Sequence, residues 1–444
     1  MYEELKELIE SKQYYQLKEK LLHIEPADIA ITFEDLTERE RALLFRLLPK
    51  ETAAEVFVEL DSDMQTDLIE GFSDSELKEV VDELYVDDAV DIIEEMPANV
   101  VTRILRHAAP EMRYEINQML KYPADSAGSI MTTEFVDLKK DMTVMDAFTH
   151  IRRTGIDKET IYICYVMDKN RILEGIISVK DLLLADYSCV IGDIMETDVI
   201  HVKSTDDQEY AARTLNKYDL LALPVTDNEN RLIGIITVDD AIDVLQEENT
   251  EDIEKMAAIT PSDKPYLKMG VFETFLQRIP WLLILMISAA FTGAIITSFE
   301  SALATCTVLT AFIPMLMDTG GNSGSQASVT IIRGLSLGDI EFRDIMKVVF
   351  KEVRVAFLCG LVLAIANFAK LMFIDHVDIM VAAVVCLTLV CTVVFAKIMG
   401  CTLPMIAKKI GFDPAVMASP FITTIVDAMS LLIYFKIATQ ILNI

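Results

Sequence analysis

After Arg278 the chain runs from 279 to 299 without a single charged residue. As a helix rising about 1.5 Å per residue, those 21 residues reach across the ~30 Å hydrocarbon core of a bilayer. This commits the second half of the chain to a membrane. Further apolar stretches at 301–332, about 355–374, 379–402 and 414–437 bring the expected spans to five. Charge divides along the same line. Residues 261–444 hold 12 Asp+Glu and 13 Lys+Arg, a net of +1, whereas residues 1–260 hold 58 and 26, a net of −32. So acidic a soluble part excludes nucleic acid as a partner and docking on an anionic membrane surface. Dense, periodic apolar residues exclude an acidic disordered tail. The opening "MYEELKELIE" reads as a charged helix rather than a signal peptide. The seven cysteines form no CxxC, and five lie in the apolar half, where Cys acts as a small hydrophobe; no zinc or disulfide framework is indicated.

Residues 1–125 carry helical periodicity with a weak repeat. "ALLFRLLPKETAAEVFVEL" and "VDIIEEMPANVVTRILRHA" share a pattern with Pro49 and Pro97 in register, and helical hairpins of about 24 residues stacked as a short solenoid account for it. From 126 to 245 the pattern changes to a tandem duplication: an Ile-Met start, strand, helix, strand, Asp/Asn turn, a "GIIS" or "GIIT" strand, then a helix. The paired "GII[ST]-V-x-D" ends make this similar to a pair of CBS domains, 126–190 and 191–245. A charged helix and a connecting segment fill 246–275, and the membrane domain occupies 276–444. The basic residues Arg333, Arg343, Lys347, Lys351, Arg354, Lys408 and Lys409 follow the second and fourth spans. By the positive-inside rule the soluble half is then cytoplasmic and the C-terminus lies outside. Five spans are few to enclose a polar path in one chain, so a homodimer with an interfacial pore is expected.

Two stretches break the apolar pattern. "FIPMLMDTGGNSGSQASVTIIRGL" places Pro314, Gly320, Gly321 and Gly324 where they would distort a helix, with Asn322, Ser323, Ser325 and Gln326 adding polar groups. A broken helix lining a water-filled cavity is one reading. Close packing through small residues, with Asp318 near the membrane edge, is the other. "PFITTIVDAMSLLIYF" holds the lone acid Asp427, a charge that costs roughly 2.5–3.5 kcal/mol at a bilayer centre. No Lys or Arg is expected at similar depth to pair with it, which leaves a transported cation as the missing partner. Asp413-Pro414 reads as N-cap and first helical residue of the last span, with Asp413 about 21 Å below Asp427 on roughly the same face. The Asp-Thr-Gly of 318–320 has no matching second motif, so an aspartic-protease dyad is not supported. "GGNSGS" lacks the lysine of a P-loop.

These parts in this order resemble the MgtE family of magnesium channels and transporters. The motifs that carry the resemblance are P-x-x-x-x-x-G-G-N-x-G-x-Q, Pro314 to Gln326, and D-P-A…P-x-x-T-x-x-D, Asp413 to Asp427. The resemblance implies a multi-domain membrane protein: an all-α superhelical N domain, an α/β CBS pair, a connecting plug helix and a five-helix transmembrane domain. It implies a homodimer in a bacterial-type plasma membrane, importing Mg²⁺ and closed by Mg²⁺. Asp427 then holds hydrated Mg²⁺ in the pore and Asp413 stands at its cytoplasmic mouth, with Asn322, Gln326, Ser419, Thr423 and Thr424 lining the path. The sensing acids become Glu55, Asp87 and Asp91 in the N domain, and Glu209, Asp219, Asp240 and Asp243 in the second CBS repeat. Glu248, Glu251 and Asp252 fall on the plug helix. Asp181 matches the position that in many CBS modules contacts an adenine nucleotide's ribose, which implies ATP as a ligand of the pair. Ser419 departs from the Asn that relatives often carry; a hydroxyl replaces a carbonyl, which implies looser exclusion of Co²⁺, Ni²⁺ or Mn²⁺. The rival reading of the same parts is a non-conducting membrane receptor whose CBS pair senses nucleotide or cations.

Overall fold

Helix starts recur every 24 residues through the first part of the chain. One series begins at Pro26, Lys50, Asp74 and Ala98, and the other at Glu38, Ser62, Val86 and Pro110. With two leading helices these make α1 to α10, from Tyr2 to Met119, in the computed structural model, which describes residues 2–262, 264, 266–417 and 419–442. The helices are short because each is stopped and restarted by its own caps. Asp61 accepts from the Met64 N–H at 3.1 Å, and Ser73 and Glu76 form a reciprocal capping box. Pro49 and Pro97 are the N-cap residues of their helices. Successive hairpins stack Ile29, Phe33, Leu44, Val56, Leu77, Val90, Ile104 and Ile116 into one continuous core.

The chain divides into two compact units, Met1–Leu245 and Gln246–Ile444. The first unit continues through β1 (Phe135–Leu138), α11 (Val144–Thr154), β2 (Thr160–Met167), β3 (Leu173–Ser178) and α12 (Val179–Leu184). The pattern then repeats as α13 (Ile191–Ile194), β4 (Val202–Lys203), α14 (Gln208–Lys217), β5 (Ala222–Thr226), β6 (Leu232–Thr237) and α15 (Val238–Met256), whose residues from Gln246 on belong to the second unit. Both sheets have the same order, a parallel first pair and an antiparallel second pair. The segment leading into each repeat pairs with the other repeat's last strand: Thr132 exchanges backbone hydrogen bonds with Ile235, and Glu196 with Ile176. This crossing explains the glycine of each "GII" strand. A Cβ on Gly234 would lie 2.7 Å from Thr132 O, and one on Gly175 would lie 2.7 Å from Glu196 O.

The second unit holds α16 (Val271–Ser298), α17 (Glu300–Thr305), α18 (Ile313–Ser336), α19 (Ile345–Phe373), α20 (Ile379–Lys409) and α21 (Ser419–Leu442). Among the described residues, four segments suffice by length and composition to cross a membrane: Val271–Ser298, Phe342–Phe373, Ile379–Lys409 and Pro414–Leu442. The fifth expected span is α18. It is 24 residues long, but its Gly, Asn, Ser and Gln lower its hydropathy. The expected break in it does not occur, since α18 is one continuous helix with Pro314 in its first turn. Its glycines serve close approach instead. A Cβ on Gly320 would meet Thr392 Cγ2 at 2.7 Å, and one on Gly324 would meet Ile422 Cγ2 at 2.9 Å. In return, Gly400 of α20 lies so near α18 that its Cβ would fall 2.2 Å from Gly324 O. In lipid, where apolar surface gains little from leaving its solvent, such contact is what joins helices.

The clash at Gly400 is with backbone, so it cannot be relieved by a side-chain rotation. Gly400→Ala is expected to cost ~3 kcal/mol or more, by overpacking, and to lower the thermal unfolding midpoint of the detergent-solubilised chain. Gly293→Ala, where a Cβ meets nothing within 4 Å, is the matched control and should leave the midpoint unchanged.

Candidate cation pathway and cation-sensing acids

Close packing on one side of α18 leaves a polar stripe on the other. Asp318, Asn322 and Gln326 recur at four-residue intervals, and all three are exposed in the single chain. At about 100° per residue, Asp318 stands within about 60° of Gly321 around the helix. Gly321 is where α21 comes nearest with polar groups: its Cβ would lie 2.9 Å from Thr423 Cγ2 and 3.9 Å from Asp427 Oδ1. The stripe therefore borders the cleft that holds Asp427. Thr423 and Thr424 donate their hydroxyls to Pro420 O, at 2.9 and 3.0 Å, which leaves their oxygen lone pairs available. The Ser419 side chain lies outside the described residues.

Among the described residues no Lys or Arg pairs with Asp427 or Asp318. The expectation that no basic residue shares this depth is nevertheless corrected. Lys397, 6% exposed, lies well inside α20 and is 3.4 Å from Glu352 of α19. Lys397 itself was legible, since it lies inside the expected span 379–402; its partner was not, because Glu352 is on another helix and reads as loop when the third span is started at 355.

Asp413 does not cap α21. Its Oδ1 accepts from the Ala415 N–H at 2.7 Å and so caps the single 3₁₀ turn Pro414–Met417, after which α21 begins at Ser419. A straight-helix ruler from Asp413 to Asp427 therefore does not apply. The other oxygen, Oδ2, is 2.8 Å from Lys255 Nζ at the end of α15. Lys255 also reaches Glu251 Oε1 at 2.5 Å. Burial lowers the ammonium's pKa, but its bonds and charge attraction to Asp413 and Glu251 outweigh that and hold it above the usual lysine value. Asp252 is raised by burial and then by the charge of Asp413, and it accepts from Ser336 Oγ at 3.3 Å. Asn249 accepts from Arg333 Nη1 at 2.8 Å, and Met256 packs on Ile332 and Ala415. Glu248 is partly buried one turn before Asp252.

A second group of acids forms within the first unit. Asp87 is buried in α8 (Val86–Glu95), and its Oδ1 has no hydrogen-bond partner. Burial, then the charges of Asp88, Asp240, Glu159 and Glu134, raise its pKa well above the carboxylate range. Asp88 is pushed to about 6 by burial and then by Asp240. Glu134 and Glu159, tied by a 3.0 Å backbone hydrogen bond, are each pushed to about 7, burial first. Asp240 is raised by burial although the Thr237 hydroxyl, 2.5 Å away, pulls the other way; Asp243 is raised by burial and by Asp239. Glu55 and Asp91 are exposed on their helices. Glu209 and Asp219 stand at opposite ends of α14, Glu209 bonded to Arg213, and are not brought together. Asp181 is exposed at the start of α12, where it accepts from the Ser178 hydroxyl. Among the described residues no three His, Cys, Asp or Glu side chains converge as a ready-made metal cage.

Comparison with known proteins settles what kind of chain this is. A family model described as a divalent cation transporter, MgtE, matches residues 313–437, the MgtE intracellular N domain matches 24–125, and the CBS domain matches 127–188 and 191–247. The magnesium transporter MgtE of Thermus thermophilus is 36% identical over 443 residues, covering 99% of this chain and 98% of that one. The chain belongs to the MgtE family of magnesium transporters. The MgtE of Bacillus subtilis is 32% identical over 95% of this chain and 92% of its own length. Among solved structures, the cytosolic domain of the Mg²⁺ channel MgtE in complex with ATP aligns with a TM-score of 0.53 at 35% identity, covering 55% of this chain and all of that one.

For an MgtE-family chain the sequence reading missed Asp88, Glu134, Glu159, Lys255 and the Lys397–Glu352 pair. Asp88 and Lys255 had a local signal: the doubled Asp of "VDDAVD", and a lysine four residues after Glu251. Glu134 and Glu159 had none, because only the sheet brings them side by side.

The raised carboxylates give a signed pH dependence. An acid that holds its proton more tightly folded than unfolded adds stability that is complete below about pH 4. That stability is lost as pH rises through the folded values, about 6 for Asp88 and about 7 for Glu134 and Glu159. In chelator, the thermal midpoint of the soluble unit within the full-length chain is expected to fall between pH 5.5 and pH 8. Glu134→Gln should flatten that fall; a midpoint flat or rising over the same interval would contradict this electrostatic account.

Proposed function

We propose that this chain is a Mg²⁺ channel that imports Mg²⁺ into the cytoplasm as a homodimer and closes when cytosolic Mg²⁺ is high. The observation that carries the reading is Asp427: a carboxylate in an apolar helix, without a protein cation among the described residues, beside the exposed stripe of Asp318, Asn322 and Gln326. A polar stripe on a membrane helix has to face water or a second protein surface. Two chains facing each other along α18 and α21 satisfy both, and bring two Asp427 carboxylates to one axis. Mg²⁺ sheds water reluctantly and is commonly held by one or two carboxylates with its waters kept. The absence of a multi-residue cage among the described residues suits that mode of binding. Asn322, Gln326, Ser419, Thr423 and Thr424 would then accept hydrogen bonds from the ion's water shell with their side-chain oxygens.

Gating follows from charge. The net of −32 in residues 1–260 makes two such halves repel. Mg²⁺ bound by Asp87, Asp91, Asp240, Asp243 and Glu55, with Asp88, Glu134 and Glu159, removes that repulsion. Glu209 and Asp219 offer further sites on the second CBS repeat, and Glu248, Glu251, Asp252 and Asp413 supply the acids at the pore mouth. The coupling is reciprocal, so the closed form binds Mg²⁺ more tightly than the open one. Basic residues after the second and fourth spans support a cytoplasmic N-terminal half and an outer C-terminus. The ATP bound by the related cytosolic domain supports a nucleotide at this CBS pair, with Asp181 as a ribose contact.

In a strain lacking other importers, Asp427→Ala is expected to lower Mg²⁺ uptake at least tenfold, whereas Asp427→Glu retains part of it. Asp318→Asn, which removes the second carboxylate of the cleft, should raise the external Mg²⁺ giving half-maximal uptake several-fold. Unchanged uptake in Asp427→Ala would sink the channel reading.

A further inference from the structure

A protein cation occupies the place where the gating ion is expected. Lys255 Nζ lies 2.5 Å from Glu251 Oε1 and 2.8 Å from Asp413 Oδ2, with the Asp252 carboxylate close enough to feel Asp413. Neither partner is loosely exposed: the Lys255 side chain is 22% accessible and that of Asp413 34%. Two carboxylates therefore share one ammonium, and a third, Asp252, stands beside Glu251 in the chain and is bonded to Ser336.

We propose that Lys255 is a built-in competitor of Mg²⁺ at the pore mouth, and that displacing it sets the Mg²⁺ concentration at which the pore closes. The inference rests on the channel reading above. Its chemistry is that of exchange. An ammonium brings one positive charge and three donors on a flexible four-carbon stem. A hydrated Mg²⁺ brings two charges and a full shell of donor waters. The carboxylates prefer the divalent ion once its concentration suffices, and the lysine stem can swing its head into solvent. Until then the lysine neutralises part of the charge and weakens Mg²⁺ binding.

The alternative role for the same contact is a strut pinning the end of α15 to Asp413. Other contacts already do this. Arg333 bonds Asn249 at 2.8 Å, Ser336 bonds Asp252 at 3.3 Å, and Met256 packs on Ile332 and Ala415. Removing the ammonium therefore leaves the helix end in place and frees the carboxylates. The two roles predict opposite signs.

The test uses the full-length chain and its Lys255→Gln and Lys255→Arg variants in proteoliposomes, with Mg²⁺ titrated on the cytosolic side. Half-closure read from single-channel current should need several-fold less Mg²⁺ in Lys255→Gln, and about the wild-type amount in Lys255→Arg. Calorimetric Mg²⁺ binding to the same proteins should tighten in Lys255→Gln by a similar factor. Weaker or unchanged Mg²⁺ binding in Lys255→Gln overturns the proposal. Should the wild-type chain carry no current, the channel reading falls, and the calorimetry alone decides the competition. If Lys255→Gln does not fold, Lys255→Met serves in its place, with the same expected sign.

Discussion

The approach of α18 to α20 and α21 through bare backbone governs the membrane half. Gly320, Gly321, Gly324 and Gly400 let three helices meet at distances that any Cβ would forbid. Because that side of α18 is given over to packing, where only small polar residues such as Ser323 and Ser328 fit, its long polar residues Asp318, Asn322 and Gln326 lie on the other. Because α21 is drawn against Gly321, Asp427 arrives at the border of the stripe. The carboxylate is thus placed by residues that have no polar chemistry of their own.

Charge is handled in three ways along one chain. The Lys397–Glu352 pair is buried and closed on itself, so it joins α19 to α20 and offers nothing to an ion. Asp427 and Asp318 have no basic partner among the described residues, which is the condition for attracting a mobile cation. The acids around Asp87 lie between these cases: crowded and desolvated, they retain protons that a divalent ion can replace. On the proposed reading, the same residue type supports structure, conduction or sensing according to which cation can reach it.

Much of this was legible in the sequence, and the failures share a cause. The 21 uncharged residues after Arg278, the tandem "GII" repeats and the isolated Asp427 are signals contained in a short window. The continuity of α18 was not legible, because glycine's weak helix propensity argues for a break and only the neighbouring helices overrule it. Asp413 followed by Pro414 looked like the start of a long helix, yet it caps a single 3₁₀ turn. Lys255 with Asp413, Lys397 with Glu352 and Glu134 with Glu159 are each separated by many residues. Such pairs exist only once the chain has folded.

The crossed lead-ins of the CBS pair carry a consequence for biosynthesis. Thr132 completes its backbone pairing only with Ile235, and Ile176 only with Glu196. The edge of the first sheet closes at Ile176 once Glu196 is made, roughly twenty residues later, whereas the lead-in residue Thr132 has to wait for the last strand of the second repeat to leave the ribosome. Through roughly a hundred residues of elongation Thr132 keeps its backbone donor and acceptor open. The pair is therefore one folding event rather than two, and a ligand that firms either sheet firms the edge of its twin.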